Sequence, residues 1–436
     1  MKIIVIGGGW SGCAAALAAR HQGAEVDLIE RTDMLLGTGL VGGIMRNNGR
    51  HTAAEEMLAM GGGELFELTD RNTLHQGIDF PGHRHSNLYS VATMEPMVRS
   101  HLQAQRVQVH CEARITDVEM ADGRIRAVLA RRNEEPLRFE GAVFVDATGT
   151  AGGPANCNKY GNGCAMCVLR CHSFGGRVSV TAKAGVQEMI GRKGDQVGAM
   201  SGSCKLLKES LDPRIVSDLN RTGVAVVPLP PAQVLKGKLG LKCCQQYAIP
   251  EFEQNLILLD TGHAKLMTPY FPLELLRAVP GFENARYEDP YAGGIGNSIR
   301  YFGMAPRDDA LKVEGVPNLF CAGEKAGLLV GHTEAICTGT LAGYNAVRCA
   351  RGEAPLVLPD ELAVGDAISF VRQQMREEGV LGLKYTFSGS VYFERMKARG
   401  TYTTDGRLIE ERVGRAGLAG VFAARGREPG PPDDLS

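Results

Sequence analysis

Four cysteines within fifteen residues, Cys157, Cys164, Cys167 and Cys171 in CNKYGNGCAMCVLRC, are the densest set of reactive side chains in this chain. If residues 164–172 form a helix, Cys164, Cys167 and Cys171 stand at i, i+3 and i+7 on one stripe, and Gly175-Gly176 ends it. Cys157 would then arrive from a glycine loop. Four thiolates suit an iron–sulfur cluster such as [4Fe-4S], or Zn, to which His172 offers a further ligand. The C-x6-C-x2-C-x3-C spacing is not the ferredoxin run. Cys164-x-x-Cys167 reads equally as a redox or nucleophilic dithiol, because that spacing lowers a thiol's pKa. Free cysteines also pack as small hydrophobes. All three readings stay open: Cys164, Cys167 and Cys171 as catalytic thiols, the four together as metal ligands, or packing. The vicinal pair Cys243-Cys244 is one more source of a ligand.

A second chemistry, phosphate binding, is written at the N-terminus. Ile3–Ile6 has the length and β-branching of a buried strand. Gly7-Gly8-Gly9-Trp10-Ser11-Gly12 follows as G-x-G-x-x-G, then an Ala-rich helical segment, Gly23, and a second strand, Val26–Ile29, ending in Glu30. In such a unit Gly7 permits the tight turn, Gly9 lets backbone approach a pyrophosphate, and Gly12 lets helix and strand pack. Glu30 binds the adenosine ribose.

Other polar residues have blander readings. His83 and His85 are expected in a solvated loop. Arg46, Asn47, Asn48 and Arg50 divide evenly between ligand contact and structure. Lys236, Lys238 and Lys242 form a small basic run of the kind usually found on solvated surface. Tyr385, Phe387, Tyr392 and Phe393 are expected in a core.

The elements that must position these groups follow from pattern. Residues 53–68 read as helix, 71–90 as irregular loop and 93–105 as a crossover helix. Strands are expected at 107–113, 117–130 and 137–149, with Asp122-Gly123 as a hairpin turn. Residues 151–300 lose this regularity and hold most of the cysteines, which suggests an inserted domain. Asn318–Ala322 reads as strand, 323–331 as tight loop and Thr333–Arg348 as helix. Residues 355–423 read as a helical C-terminal segment, and 424–436 as a disordered tail.

With 436 residues and 44% hydrophobic content the chain can bury a large core. Its 48 basic and 49 acidic residues leave a net charge of −1, so no global charge points to nucleic acid or an anionic membrane. The first apolar run is too short for a signal peptide, and no run approaches a membrane span. Cytoplasmic localisation, with reduced thiols, is the expectation.

Three remote segments fit a single ligand, FAD. The first contributes Gly7, Gly9, Trp10, Ser11, Gly12, Glu30 and Arg31, joined by Gly42 and Gly43 of the glycine-rich connection and by Ala113. The second is VDATG, with Ala147, Thr148 and Gly149. The third is CAGEKAG and the helix after it, with Gly323, Glu324, Gly331 and Glu334; Glu324 would bind a ribityl hydroxyl. NAD would need only the first. The arrangement resembles the glutathione-reductase-like FAD proteins. That likeness implies an α/β fold: a Rossmann-like FAD-binding domain split in sequence (1–155 and 300–350), an inserted α+β domain (156–299) and the helical C-terminal segment.

The third segment narrows the likeness. GHTEAICTGTLAGYNAVR resembles the G-Y-x-E-x-x-x-x-G-x-x-A-G-x-N-A helix of the glucose-inhibited division protein A family and of the folate- and FAD-dependent tRNA uridine methyltransferases. Gly331, Glu334, Gly339, Ala342, Gly343, Asn345 and Ala346 match, with His332 at the usual tyrosine. LAVGDAISFV (362–371) is closer to the methyltransferases. GLVGGIMRNNG stands where the division-protein family carries a cysteine loop. The resemblance implies an FAD-dependent oxidoreductase served by a small-molecule or protein electron donor. As an alternative it implies an enzyme that modifies a tRNA uridine with folate.

Overall fold

The computed structural model describes residues 1–150, 171–193, 196–197, 199–200, 203–234, 237, 245–268, 271–288, 299–300, 302–377 and 382–424. Strand β1 (Lys2–Ile6) leads through the glycine loop into helix α1 (Trp10–His21), and β2 (Glu25–Ile29) returns parallel to β1. Ile3, Ile4 and Val5 are fully buried. Each such side chain contributes roughly 1.5–3 kcal/mol by leaving water. After the short strand β3 (Ile44–Met45) come α2 (Gly49–Ala59) and α3 (Glu64–Arg71). The single helix expected over 53–68 is therefore two, broken where Gly61 takes φ +79°.

Residues expected to be loop form a hairpin, β4 (Thr73–Phe80) and β5 (His83–Tyr89), turning at Pro81-Gly82. Its register slips three times, so the period-2 alternation that would have disclosed it is absent. Helix α4 (Val91–Ala104) crosses over to β6 (Gln108–His110). A meander follows: β7 (Arg114–Ala121), β8 (Arg124–Arg132) and β9 (Glu135–Glu140). Asp122 and Gly123 both take positive φ, +53° and +71°, as a two-residue hairpin turn requires. Strand β10 (Val143–Asp146) then joins the first sheet beside β1.

The next sheet is antiparallel and has its own core. It consists of β11 (Cys204–Leu206), β12 (Val224–Pro228), β13 (Asn255–Asp260) and β14 (Ala264–Leu266), ordered β11-β14-β13-β12. Helices α5 (Pro213–Thr222) and α6 (Leu273–Arg277) cover one face, burying Cys204, Leu206, Leu258 and Leu266. The opposite face packs Ile257, Leu259 and Met267 on Ile44, Phe80 and Leu88 of the β3-β5-β4 sheet.

Strand β15 (Leu319–Cys321) completes the parallel sheet in the order β15-β10-β1-β2-β6. Helix α7 (His332–Ala350) packs against α1 at backbone distance: a Cβ on Gly339 would meet the Ser11 carbonyl at 2.2 Å, and one on Gly343 the Ala15 carbonyl at 2.1 Å. The C-terminal segment is helical, with α8 (Ala363–Met375), α9 (Ser390–Ala398) and α10 (Gly406–Arg415). Tyr385, Phe387, Tyr392 and Phe393 are buried in its core as expected. Among the described residues no helix is long and apolar enough to cross a membrane.

Candidate functional site: a trough across the parallel sheet

From β1 the chain runs to β2 and β6 on one side and to β10 and β15 on the other. A crevice opens at that switch point, beyond the carboxyl ends of the strands. It is a trough enclosing about 1790 Å³, part of it open to solvent.

At the β2/β6 end stand Glu30, Arg31 and Ala113. The Glu30 carboxylate accepts from the Gly8 amide at 2.7 Å and the Thr32 amide at 2.8 Å, which fixes it at the mouth. The middle is lined by Gly7, Gly9, Trp10 and Ser11, with Ala147, Thr148 and Gly149 facing them. Asp146 sets that second wall, accepting from the Thr148 amide at 3.1 Å and the Thr181 amide at 2.8 Å. At the β15 end are Gly323, Glu324, Gly331 and Gly42. Thr150 Oγ1 donates to Glu324 at 3.2 Å.

The glycine loop meets the physical requirements of a dinucleotide cradle. Gly7 has φ +100°, and a Cβ there would lie 2.4 Å from the Ala147 carbonyl. A Cβ on Gly12 would lie 1.8 Å from the Gly7 carbonyl, so Gly12 serves packing and lies off the trough. A Cβ on Gly9 would meet nothing within 4 Å, leaving bare backbone toward the space. Helix α1 starts there without a side-chain cap or a first-turn acid, so its amides are available to an anion. The residues present fit FAD.

Two further expected contacts sit elsewhere. Gly43, at φ +95°, lies against the Thr261 side chain. Glu334 is buried 3.1 Å from Arg50 Nε and accepts from Thr386 Oγ1 at 2.6 Å and the Phe387 amide at 2.9 Å. It ties α7 to α2 and the C-terminal segment.

His83 is buried, contrary to the solvated loop expected. It stacks on Phe80 at 4.6 Å, and Asn47 and the Gln246 carbonyl hold its ring nitrogens at 2.9 and 3.0 Å. Burial pushes its pKa down to about 3. Arg46 is engaged by Asp70 and Glu55, and Asn48 Nδ2 donates to the Ser388 carbonyl at 2.7 Å. Of that basic and amide group only Arg50 lines the trough.

Sequence reasoning missed the far wall. Ser203, Gln246, Tyr247, Lys265 and Met267 reach the trough from the second sheet and its connections, and His332 from α7. His332 Nδ1 lies 3.2 Å from the Tyr89 hydroxyl, and its ring fills the place where a Gly42 Cβ would be. His332 alone carried a signal, as the departure from tyrosine.

Cys157, Cys164 and Cys167, the side chain of Cys171, Cys243-Cys244 and Lys236, Lys238 and Lys242 lie outside the described residues. Residues 171–174 are helical, and Gly175 follows at φ +73°. Among the described residues no group of three or more His, Cys, Asp or Glu could hold a metal ion. Cys13, Cys321 and Cys337 are buried, and burial pushes their thiols up, Cys321 to about 12. They are inert.

Comparison with known proteins agrees with this geometry. A family profile described as FAD dependent oxidoreductase matches residues 2–152, and one described as Glucose inhibited division protein A matches 252–354. The methylenetetrahydrofolate–tRNA-(uracil-5-)-methyltransferase TrmFO of Bacillus cytotoxicus is 34% identical over 105 residues, 22% of each chain. The tRNA uridine 5-carboxymethylaminomethyl modification enzyme MnmG of Acholeplasma laidlawii is 36% identical over 107 residues, 24% of this chain and 16% of that one. These matches span about a fifth of the relatives' length. GidA of Aquifex aeolicus shares the fold, with TM-score 0.65 over 95% of this chain and 76% of that one, at 15% identity. Residues 2–152 are thus similar to FAD dependent oxidoreductases, residues 252–354 to the Glucose inhibited division protein A family, and the fold to that of GidA.

Proposed function

We propose that this chain is an FAD-dependent oxidoreductase that holds its cofactor along the trough. The ribose would lie at Glu30, the pyrophosphate over Gly9 and the start of α1, and the isoalloxazine at the end formed by Glu324, Gly42 and His332. The observation that carries this reading is the convergence of Glu30, Gly9, Gly149 and Glu324 on one continuous space. When bound, FAD supplies electron or hydride transfer. The protein's part is to orient it and limit water. Glu30 and Glu324 accept hydroxyl hydrogen bonds, and the α1 amides face negative phosphate oxygens. Electrons would come from a small molecule or a partner protein docking transiently. Acid release of flavin from the purified protein tests the assignment, and a colourless, flavin-free protein refutes it.

The same chemistry extends to modification of a tRNA uridine, supported by the activities for which the TrmFO and MnmG relatives are named. Thiol chemistry at Cys164, Cys167 and Cys171 belongs to the same proposal, as nucleophile or electron relay, and iron, zinc and sulfide analysis decides between thiols and a metal. A tRNA complex should weaken steeply with salt, because phosphate contacts release counterions. No complex at low salt would reject the tRNA substrate while leaving the flavin assignment intact.

A further inference from the structure

A short strap spans the middle of the trough. It follows the helical residues Cys171–Phe174 and runs in three residues, Gly175, Gly176 and Arg177, from the β2/β6 end to the wall after β10. Arg31 donates to the Gly175 carbonyl, and Arg114 Nε to the Gly176 carbonyl at 3.0 Å. Arg177 Nη2 donates to the Thr150 carbonyl at 2.7 Å and Nη1 to the Thr148 carbonyl at 3.5 Å. Beyond the strap, the Thr181 amide and hydroxyl donate to Asp146 at 2.8 and 2.7 Å, and Lys325 pairs with Glu188 at 2.5 Å. The strap is thereby anchored to β10 and to the loop that carries Glu324.

Arg31, Arg114 and Arg177 all border the trough. The bonds of Arg177 go to backbone carbonyls and take two of its five N–H groups, so they hold the guanidinium without neutralising it. Its position is set by the opposing walls. A Cβ on Gly7 would lie 2.4 Å from the Ala147 carbonyl, where the two walls meet, and a Cβ on Gly149 would lie 3.0 Å from Arg177 Nη1. The guanidinium therefore sits on the wall that faces Gly9, with the bare backbone of Gly9 and the uncapped start of α1 across from it. A positive charge and a helix N-terminus thus bracket one stretch of the trough, the stretch at which an open α/β sheet takes a pyrophosphate.

We propose that Arg177 is the counter-charge of the FAD pyrophosphate, gripping from the strap the phosphate oxygens that the α1 amides face from the other side. This rests on the FAD reading above. A guanidinium presents several donors to a phosphate at once, so Arg177 both binds the cofactor and sets its position along the trough. Arg31 and Arg114 act through the strap, as positioning residues that hold its carbonyls.

FAD binding and phosphorus NMR of the holoprotein test this without turnover. R177M should raise the FAD dissociation constant by roughly tenfold or more, the loss expected for a charge-assisted hydrogen bond. At saturating FAD it should also move the phosphorus resonances of the bound cofactor while leaving the flavin visible band in place. R177K, which keeps the charge and loses the planar fork, should move the same resonances with a smaller loss of affinity, and it replaces R177M if that variant does not fold. Wild-type affinity in R177M overturns the proposal. So do unmoved phosphorus resonances in either variant, because Arg177 would then serve only the wall formed by Thr148 and Thr150. A wild-type protein that takes up no FAD fails before either variant is made, and removes the cofactor reading along with this one.

Discussion

Gly9 and Gly12 are three residues apart in one motif and do different work. Gly9 has φ −67° and open space where a Cβ would go, so a side chain there costs the fold nothing and occupies the trough. We expect Gly9→Val to keep the thermal midpoint of the flavin-free protein while losing most bound flavin. Gly12→Ala drives a methyl into the Gly7 carbonyl and should cost about 1–3 kcal/mol, read by denaturant unfolding. Arg50 and Glu334 form a buried pair, 5% and 1% exposed at their side chains. Removing Arg50 leaves the Glu334 carboxylate buried without this counter-charge. Arg50→Met should therefore destabilise the protein by about 3–5 kcal/mol, far beyond a surface substitution, and calorimetry at neutral pH reads the difference.

At the scale of elements, the β4–β5 hairpin is pinned by a neutral histidine. His83 links it to Asn47 before α2 and to Gln246, which lines the trough. Its folded pKa, about 3, lies below the unfolded value near 6.5. Below 6.5 the unfolded chain binds a proton that the native state refuses, so the stability contribution is full above 6.5 and falls as pH drops toward 3. The loss is roughly 4–5 kcal/mol at most. His263, also depressed to about 3, adds to it with the same sign. Unfolding followed from pH 7 to pH 4 should show this slope, reduced in His83→Asn.

Glu56 on α2 acts in the opposite sense. Burial raises its carboxyl to about 7, while it accepts from the Ala363 and Val364 amides at 2.8 and 3.0 Å, at the start of α8. The native state holds this proton more tightly than the unfolded chain. Stability is therefore lost as pH rises from about 4.5 to about 7, and Glu56→Gln should flatten that segment of the profile.

For the whole molecule, the trough is closed on one side by a sheet that the chain builds only after β10. Its first walls come from residues 6–50, 113–115, 147–149 and 177–178, its far wall from 203–267, and its β15 end from 323–335. A ligand bound across so many segments stabilises all of them together. FAD at 100 times its dissociation constant should raise unfolding stability by about 2.7 kcal/mol, and the midpoint should climb with the logarithm of FAD concentration. A midpoint indifferent to FAD would mean that the cofactor does not bridge these parts.

The parallel sheet and the glycine-rich trough at its switch point were legible in sequence because their determinants are local. A β-branched run, a turn needing positive φ at Gly7 and a two-residue Asp122-Gly123 turn each act over a few neighbouring residues. Fourteen of the seventeen expected cofactor contacts line one trough, which local motifs suffice to predict once strand order is set. Tertiary structure alone decided the rest. Lys265 and Gln246 reach the trough only because an antiparallel sheet packs its outer face on the β3-β5-β4 sheet. Glu334 reads as a cofactor contact in its motif, yet its partner Arg50 lies 284 residues away. Electrostatic pairing across such separations leaves no local pattern. The burial that turns His83 from a loop residue into a neutral pin exists only in the packed molecule.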